Sequence, residues 1–284
     1  MIVVTGATGF LGRHVLSSLQ KRNFEFTPWS RYRIDFSNVQ EMEKALRSVD
    51  QVLHLAGQMN GRVEDLKESN ALLTKRLVEA SKKVGVRRII FVSSAAAHLR
   101  KGPYGQSKWE AEEILKSSGI GYLIFRPALI YGPGDSKNVA TMEKLVKHFP
   151  VLPLLGGGRF LIQPVYVDDV VSCLMAALQS AVVNQSYYLA GPSQISLKEM
   201  LETIAASWGK RVQLIPVPLK PVQILARAWS EIFPRTRLPV KQILELDQHS
   251  AFEIDAARKD FGFAPRTFKE GIAAMRSREA LCVG

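Results

Sequence analysis

Tyr104 and Lys108 stand four residues apart in a stretch that reads as helix, opened by Pro103 at a position that suits proline. That spacing places both side chains on one helix face. A lysine cation held beside a phenol stabilises the phenolate and draws the tyrosine pKa down from its reference of about 10. A tyrosine so tuned exchanges a proton with a substrate hydroxyl or carbonyl near neutral pH. Ser93 and Ser94 close the apolar run Ile89-Ile90-Phe91-Val92, so at least one hydroxyl is expected in the strand-end crevice where Tyr104 also lies. A serine there can hydrogen-bond the reacting oxygen and stabilise its developing charge. Taken singly, each residue has a bland explanation as a helix-surface pair or a strand-end cap. Their conjunction points to chemistry.

A second constellation lies at the start of the chain. Residues 5 to 12 read T-G-A-T-G-F-L-G, after the apolar run Met1-Ile2-Val3-Val4 and before the helix-like stretch Arg13 to Lys21. A strand that turns on Gly6 into a helix presents its first N–H groups and the positive end of the helix dipole, which suits a dinucleotide pyrophosphate. Gly6 permits the tight turn, Gly9 lets backbone approach phosphate, and Gly12 lets helix and strand pack closely.

The elements that must hold these residues follow from the hydrophobic pattern. Ile2 to Val4, Glu25 to Trp29, Gln51 to Leu55, Arg88 to Ser93 and Tyr122 to Phe125 read as strands; Arg13 to Lys21, Val39 to Val49, Leu66 to Val84 and Ser107 to Ser117 read as helices. This alternation predicts an α/β fold with a doubly wound parallel sheet covered on both faces and ligands at the carboxyl ends of its strands. Beyond Gly132 the pattern loosens, with Gly156-Gly157-Gly158 and a proline-rich stretch from Pro216 to Pro221. A smaller C-terminal lobe is expected there. Because Tyr166 to Leu178 and Ser186 to Ala190 read as a helix and a further core strand, the two lobes are expected to interleave. The division expected is 1–190 for the nucleotide-binding domain, interleaved with the second lobe after about 134, and 191–284 for the smaller substrate lobe.

Composition bounds the function. The 284 residues are 46% hydrophobic, enough for a full core. Cys173 and Cys282 lie far apart, so neither a disulfide framework nor a metal site is expected, and a reducing cytoplasm fits. No run approaches the roughly 18 apolar residues of a membrane span, and Met1 opens a core strand, so no signal peptide is expected. The net charge of +12 favours anionic ligands, including a phosphate-bearing cofactor and substrate. No helix-turn-helix or RNA-binding signature is present, so nucleic acid is not an expected partner.

These motifs, taken in order, resemble the short-chain dehydrogenase/reductase superfamily. The resemblance is to its extended branch, the NAD(P)-dependent epimerase/dehydratase family, with its nucleotide-sugar epimerases, dehydratases and reductases. It spans almost the whole chain. Thr5 to Gly12 is similar to the family's nucleotide turn, His54-Leu55-Ala56-Gly57 to its adenosine-side strand end, and Asn70 to its helix asparagine. Val92-Ser93-Ser94 with Tyr104 and Lys108 resembles the catalytic triad, Ser94 being the better match for the serine. Arg126 to Gly134, with Pro127, Ala128 and Ile130, is similar to the segment passing the nicotinamide, and Val165 to Val170 to the start of a lobe-spanning helix.

The resemblance implies a Rossmann-type fold and an oxidoreductase or epimerase acting on a secondary alcohol or ketone, most simply of a nucleotide sugar. In it Lys108 holds the nicotinamide ribose, Tyr104 is the general acid/base, and Ser94, with Ala95 beside it, faces the substrate. Thr8, Phe10 and Leu11 join the glycines around the cofactor. Asp35, followed by Phe36, resembles the adenine-contacting aspartate, with helix capping before Val39 as its alternative.

Charge indicates the cofactor. The strand ending at Trp29 is followed by Ser30 and Arg31 rather than by the acid that receives a ribose 2′-hydroxyl. NADP is therefore expected over NAD, with Arg13 as a second cation.

The chain also departs from the family pattern. Nine residues separate Ser94 from Tyr104, where nucleotide-sugar enzymes carry a longer loop, and the second-lobe Arg-Pro-Gly-Asp segment is missing before Phe252. Arg159 beside the glycine run is the substitute candidate for a substrate phosphate; Arg211 reads as surface. A hydrophobic ketone is the alternative substrate. The alternative class is a non-catalytic NADPH-binding protein like relatives within respiratory complex I, against which the retained triad argues. Val222, Leu225, Trp229, Ile232 and Phe233 form an apolar stripe at helical spacing, read as lobe core in preference to peripheral membrane contact. A homodimer is compatible with all of this.

Overall fold

The computed structural model describes residues 1–30, 32–100, 102–218, 220–222, 224 and 251–283. Arg31, on which the cofactor expectation leaned, lies outside the described residues, as do Leu225, Trp229, Ile232 and Phe233 of the apolar stripe. The chain divides into two compact units. The first comprises Met1–Ile130, Val165–Ala190 and Glu253–Pro265; the second comprises Tyr131–Pro164, Gly191–Phe252 and Arg266–Gly284. The last segment of the first unit, Glu253–Pro265, thus lies beyond residue 190.

In the first unit, β1 (Ile2–Thr5), β2 (Phe26–Trp29), β3 (Gln51–His54), β4 (Arg88–Val92), β5 (Gly121–Pro127) and β10 (Gln185–Leu189) form one parallel sheet in the order β10-β5-β4-β3-β1-β2. From β1 the chain crosses to β2 on one side, then returns to β3 on the other, so the topological switch point lies between β1 and β3. The expected doubly wound α/β sheet is thus what the chain forms. Val3, Val52, Ile89, Phe91 and Ile124 are buried against α2 (Val39–Ala45), α4 (Leu73–Val84) and α6 (Gly102–Lys116). The alternate residues Val4, Leu53, Ile90, Leu123 and Phe125 are also buried. Residues on both faces of the central strands are therefore apolar, and those strands read as continuous hydrophobic runs.

Helix α1 (Phe10–Lys21), which packs on α8 (Val167–Gln179), begins three residues earlier than its sequence pattern indicated. The helix expected over Leu66 to Val84 is instead α3 (Val63–Leu66), a π-helical turn (Lys67–Leu72) and α4. Short α5 (Ala95–His98) precedes α6, and α10 (Asp255–Phe261) supplies the last piece of this unit.

Arg88 opens β4 almost fully buried. Its guanidinium donates to Gln51 Oε1 and to the carbonyls of Ala177, Leu178, Ser180 and Val182. Those carbonyls end α8 and the turn after it, groups that have no partner within the helix itself. One side chain thus seals a helix C-terminus, where a cation is favoured by the dipole.

In the second unit, α7 (Val139–His148) and α9 (Leu197–Ser207) pack together, and α11 (Phe268–Val283) packs on α9. Strand β7 (Val151–Leu155) pairs in parallel with β12 (Gln213–Val217), and β8 (Leu161–Ile162) pairs antiparallel with β11 (Ile195–Ser196). Short β6 (Ile130–Tyr131) and β9 (Val165–Tyr166) stand where the chain passes between units. Gly156, Gly157 and Gly158 all adopt left-handed φ, from 59° to 66°. A Cβ on Gly156 would strike the Phe160 ring, and one on Gly158 the Leu154 side chain. Among the described residues no helix is long and apolar enough to cross a membrane.

Arg88→Met is expected to destabilise the protein by about 3 kcal/mol or more, because buried carbonyls lose a charged donor and gain none. Urea denaturation of the variant checks this; a loss below about 1 kcal/mol would mean that Arg88 does not seal the end of α8.

Candidate active site

The carboxyl ends of β1, β2 and β3 open into a cleft of about 670 Å³ at the switch point, a size typical of small-molecule sites. Gly6, Thr8, Gly9, Ser30, Asp35, Phe36 and Leu55-Ala56-Gly57 line it, all of them expected from sequence. Gly6 has a left-handed φ of 69°, and a Cβ there would lie 2.6 Å from Ala56 N. A Cβ on Gly12 would lie 2.2 Å from the Gly6 carbonyl. Both glycines are thus demanded by backbone packed against backbone. Gly9, at φ −71°, caps the start of α1, and no side chain caps that first turn. These features fit the pyrophosphate of a dinucleotide.

The structure places the other candidates at this end as follows. The residue capping α2 is Asn38, whose side chain accepts from Glu41 N. Asp35 instead accepts from Ser37 N at 2.8 Å and Ser37 Oγ at 2.6 Å, bonds that hold its carboxyl below the usual range and leave it lining the cleft. Arg13 donates to the Thr8 carbonyl at 3.1 Å and is not among the cleft residues; Phe10 and Leu11 are likewise built into α1. Sequence reading missed Arg33, Glu68 and Arg76, which also line the cleft, because nothing in a lone surface charge marks it as facing a ligand.

A directional hydrogen-bond chain runs beneath the cleft. Ala56 N donates to Thr5 Oγ1, which in turn stands 2.7 Å from His54 Nδ1. His54 Nε2 stands 3.0 Å from Thr74 Oγ1, and Thr74 donates to the Asn70 carbonyl. Each hydroxyl has one proton to give, so His54 is neutral with its proton on Nε2. Burial, helped by the Lys108 charge, lowers its pKa to about 3.

Asn70, inside the π-helical turn, donates to the Gln58 carbonyl and Ser107 Oγ and accepts from Gln58 N. Ser107 passes the connection on to the Tyr104 carbonyl. Asn70 therefore fixes the loop after β3 to the first turn of α6. A π-helical turn often marks a functional position. Hydrophobic periodicity could not disclose one.

At the end of β4, Ser94 caps α5 and accepts from Ala96 N at 3.2 Å, while Ala95 is buried as the first residue of that helix. Ser93 is buried with its hydroxyl unpartnered, so Ser94 is the serine that reaches the phenol. A Cβ on Gly105 would lie 2.4 Å from the Ala96 carbonyl; that close helix approach brings Tyr104 to Ser94. Burial raises the Tyr104 pKa, and a hydrogen bond with Ser94 acts the other way. The expected lowering by Lys108 is not seen: Ser94 supplies the opposing effect, and desolvation outweighs it. Lys108 Nζ donates to the Val92 carbonyl at 2.9 Å and sits 4.5 Å over the Phe91 ring. Burial lowers its pKa to about 7, with Glu112 one helical turn away opposing the shift. Glu112 is itself held by Arg126 Nε at 3.0 and 3.1 Å.

Pro127 and Ala128 continue the strand end beside β10, with Ala128 N donating to the Leu189 carbonyl, and Ile130 begins β6. In the second unit, Arg159 and Arg211 are exposed. The glycine run beside Arg159 answers to the packing of Phe160 and Leu154.

The profile of the NAD dependent epimerase/dehydratase family matches residues 2–190. The UDP-2-acetamido-2,6-beta-L-arabino-hexul-4-ose reductase of Pseudomonas aeruginosa is 32% identical over 216 residues, covering 72% of this chain and 56% of its own length. The mitochondrial NADH dehydrogenase (ubiquinone) 1 alpha subcomplex subunit 9 of Arabidopsis thaliana is 27% identical over 285 residues, covering 90% and 70%. A crystal structure of UDP-glucose 4-epimerase from Thermotoga maritima with UDP-glucose aligns with a TM-score of 0.78 at 20% identity, over 100% of this chain and 99% of that one. At that identity the likeness establishes the fold.

A lysine whose pKa is lowered on folding binds fewer protons folded than unfolded between about 7 and its unfolded value of 10.5. Its burial penalty is full below pH 7 and is relieved as pH rises through that window. Relative to Lys108→Met, the unmutated protein is therefore expected to gain stability from pH 7 to pH 9, read by urea denaturation at both. Parallel pH dependences would refute the assignment.

Proposed function

The chain belongs to the NAD dependent epimerase/dehydratase family and is an NAD(P)-binding enzyme of the oxidoreductase or epimerase type. From that premise we propose that it interconverts a secondary alcohol and a ketone on a nucleotide sugar, with NADP preferred over NAD. The observation that carries the chemistry is the Ser94–Tyr104 hydrogen bond at the end of β4, with Lys108, one turn on along α6, anchored to the Val92 carbonyl of that strand. A cofactor held by the glycine turn, Asp35 and the Leu55-Ala56-Gly57 strand end would supply hydride transfer.

The protein's own share is proton handling and charge placement. Tyr104 gives or takes the proton at its phenol oxygen. Ser94 donates to the reacting oxygen and steadies charge that develops there. Lys108, buried on α6 one turn from Tyr104, is held by one carbonyl against Val92, where a cofactor ribose would lie, and its charge can respond to what binds there. Asn70 and Ser107 fix the first turn of that helix, so the phenol meets its substrate without reorganising.

Nucleotide sugar as substrate class draws on the names of the Pseudomonas and Thermotoga proteins and on the net charge of +12, with Arg159 the proposed phosphate contact. The complex I subunit supports a second reading, an NADPH-binding scaffold. A scaffold has no need of a buried phenol hydrogen-bonded to a serine at a strand end, and for that reason we favour the enzyme.

The preference for NADP draws on the absence of an acid directly after β2, where the sequence has Ser30 and Arg31, and on Arg33, which lines that side of the cleft. NADPH is expected to bind at least about tenfold more tightly than NADH, the scale of one charge-assisted hydrogen bond. Fluorescence titration reads it directly, and equal affinities would remove the preference.

Turnover on UDP- and dTDP-sugars is expected to fall by about a hundredfold or more in Tyr104→Phe, with NADPH affinity retained. Unchanged turnover would remove Tyr104 as acid/base. Tight NADPH binding with no turnover on a broad carbonyl panel would return the scaffold reading.

A further inference from the structure

The second unit exposes a strip of large apolar side chains that the nucleotide chemistry does not use. Leu145 and Phe149 at the end of α7, Val151 in β7 and Ile215 in β12 are 40, 53, 42 and 45% exposed. Strand alternation turns Val151 and Pro153 outward and Leu152 and Leu154 into the core. Ile215 pairs in register with Pro153, and Gln213 N donates to the Pro150 carbonyl at 2.8 Å. The strip is therefore continuous from the helix end across two strands.

Its rim is cationic. Neither 144–155 nor 203–222 contains an aspartate or glutamate, and Lys144, Lys210 and Arg211 are exposed there. The Lys210 ammonium donates to the Lys147 carbonyl, which holds positive charge at the helix end beside Phe149. A second copy of a chain carrying +12 would set rim against rim, cation facing cation. An anionic bilayer supplies both complements at once, negative headgroups for the rim and acyl chains for the strip.

We propose that this face of the second unit lies on the surface of an anionic membrane, with Phe149, Val151 and Ile215 at the headgroup–acyl boundary. It is distinct from the stripe between Val222 and Phe233, and it does not depend on the substrate assigned above.

The test is sedimentation of the full-length protein with vesicles of phosphatidylcholine alone or of phosphatidylcholine mixed with phosphatidylglycerol. Binding is expected only with phosphatidylglycerol, and it should weaken as salt screens the rim. The double substitution Phe149→Asp with Ile215→Asp is expected to lower the bound-to-free ratio at least about tenfold without changing the melting temperature. Lys144→Glu with Lys210→Glu, which leaves the apolar strip intact, is expected to abolish the preference for phosphatidylglycerol. No binding to either vesicle, or binding undiminished in both variants, would overturn the proposal. So would a dimer in sedimentation equilibrium that the first variant dissociates, since the face would then belong to a second copy.

Discussion

Where β1 turns at Gly6, its backbone lies directly on that of Ala56, with no room for a side-chain carbon between them. The rest of the first unit depends on that contact. It sets the ends of β1 and β3 together at the switch point, and the chain of hydrogen bonds from Ala56 through Thr5, His54 and Thr74 begins there. Asn70 and Ser107 continue it to the backbone of Tyr104. The glycine turn and the helix turn that carries Tyr104 are thus parts of one bonded assembly, and a displacement at one end has a route to the other.

Two buried cations of this unit and one half-buried are satisfied in different ways, and the difference separates structure from chemistry. Arg88 is saturated by carbonyls and Gln51, while Arg126 forks onto the carboxylate of Glu112. A guanidinium stays charged under any such arrangement. Lys108 has one carbonyl and an aromatic face, too little to offset full desolvation, so its charge is conditional. Among the three it is the cation that can respond to what arrives beside it.

What could be read from sequence was whatever depends on local pattern. Glycine at 6 announced a tight turn and glycine at 12 close packing of helix and strand, and the continuous apolar runs announced buried parallel strands. The Tyr104 and Lys108 spacing placed both on α6, yet spacing says nothing of desolvation, and the direction of the Tyr104 shift was lost. Arg88 looked like a polar residue opening a strand, because its carbonyl partners lie about 90 residues away. The π-helical turn keeps an apolar spacing close to that of an α-helix, and Asn38, directly before Val39, takes the cap position that Asp35 stands too early in the chain to fill. The return of 253–265 to the first unit rests on contacts between distant residues and has no local signature.

That return bears on how the protein is made. Phe261 packs on Phe125 and Tyr187, and Tyr187 donates to Asp260 at 2.6 Å, at the edge of the sheet formed by β10. The partners of this aromatic cluster are separated on the ribosome by all of 191–252. At about 5–20 residues per second, the sheet edge waits on the order of seconds, bare and aromatic, for the helix that covers it. Translation speed over 191–252 therefore sets the length of time for which a nascent chain offers that edge to chaperones or to neighbouring nascent chains.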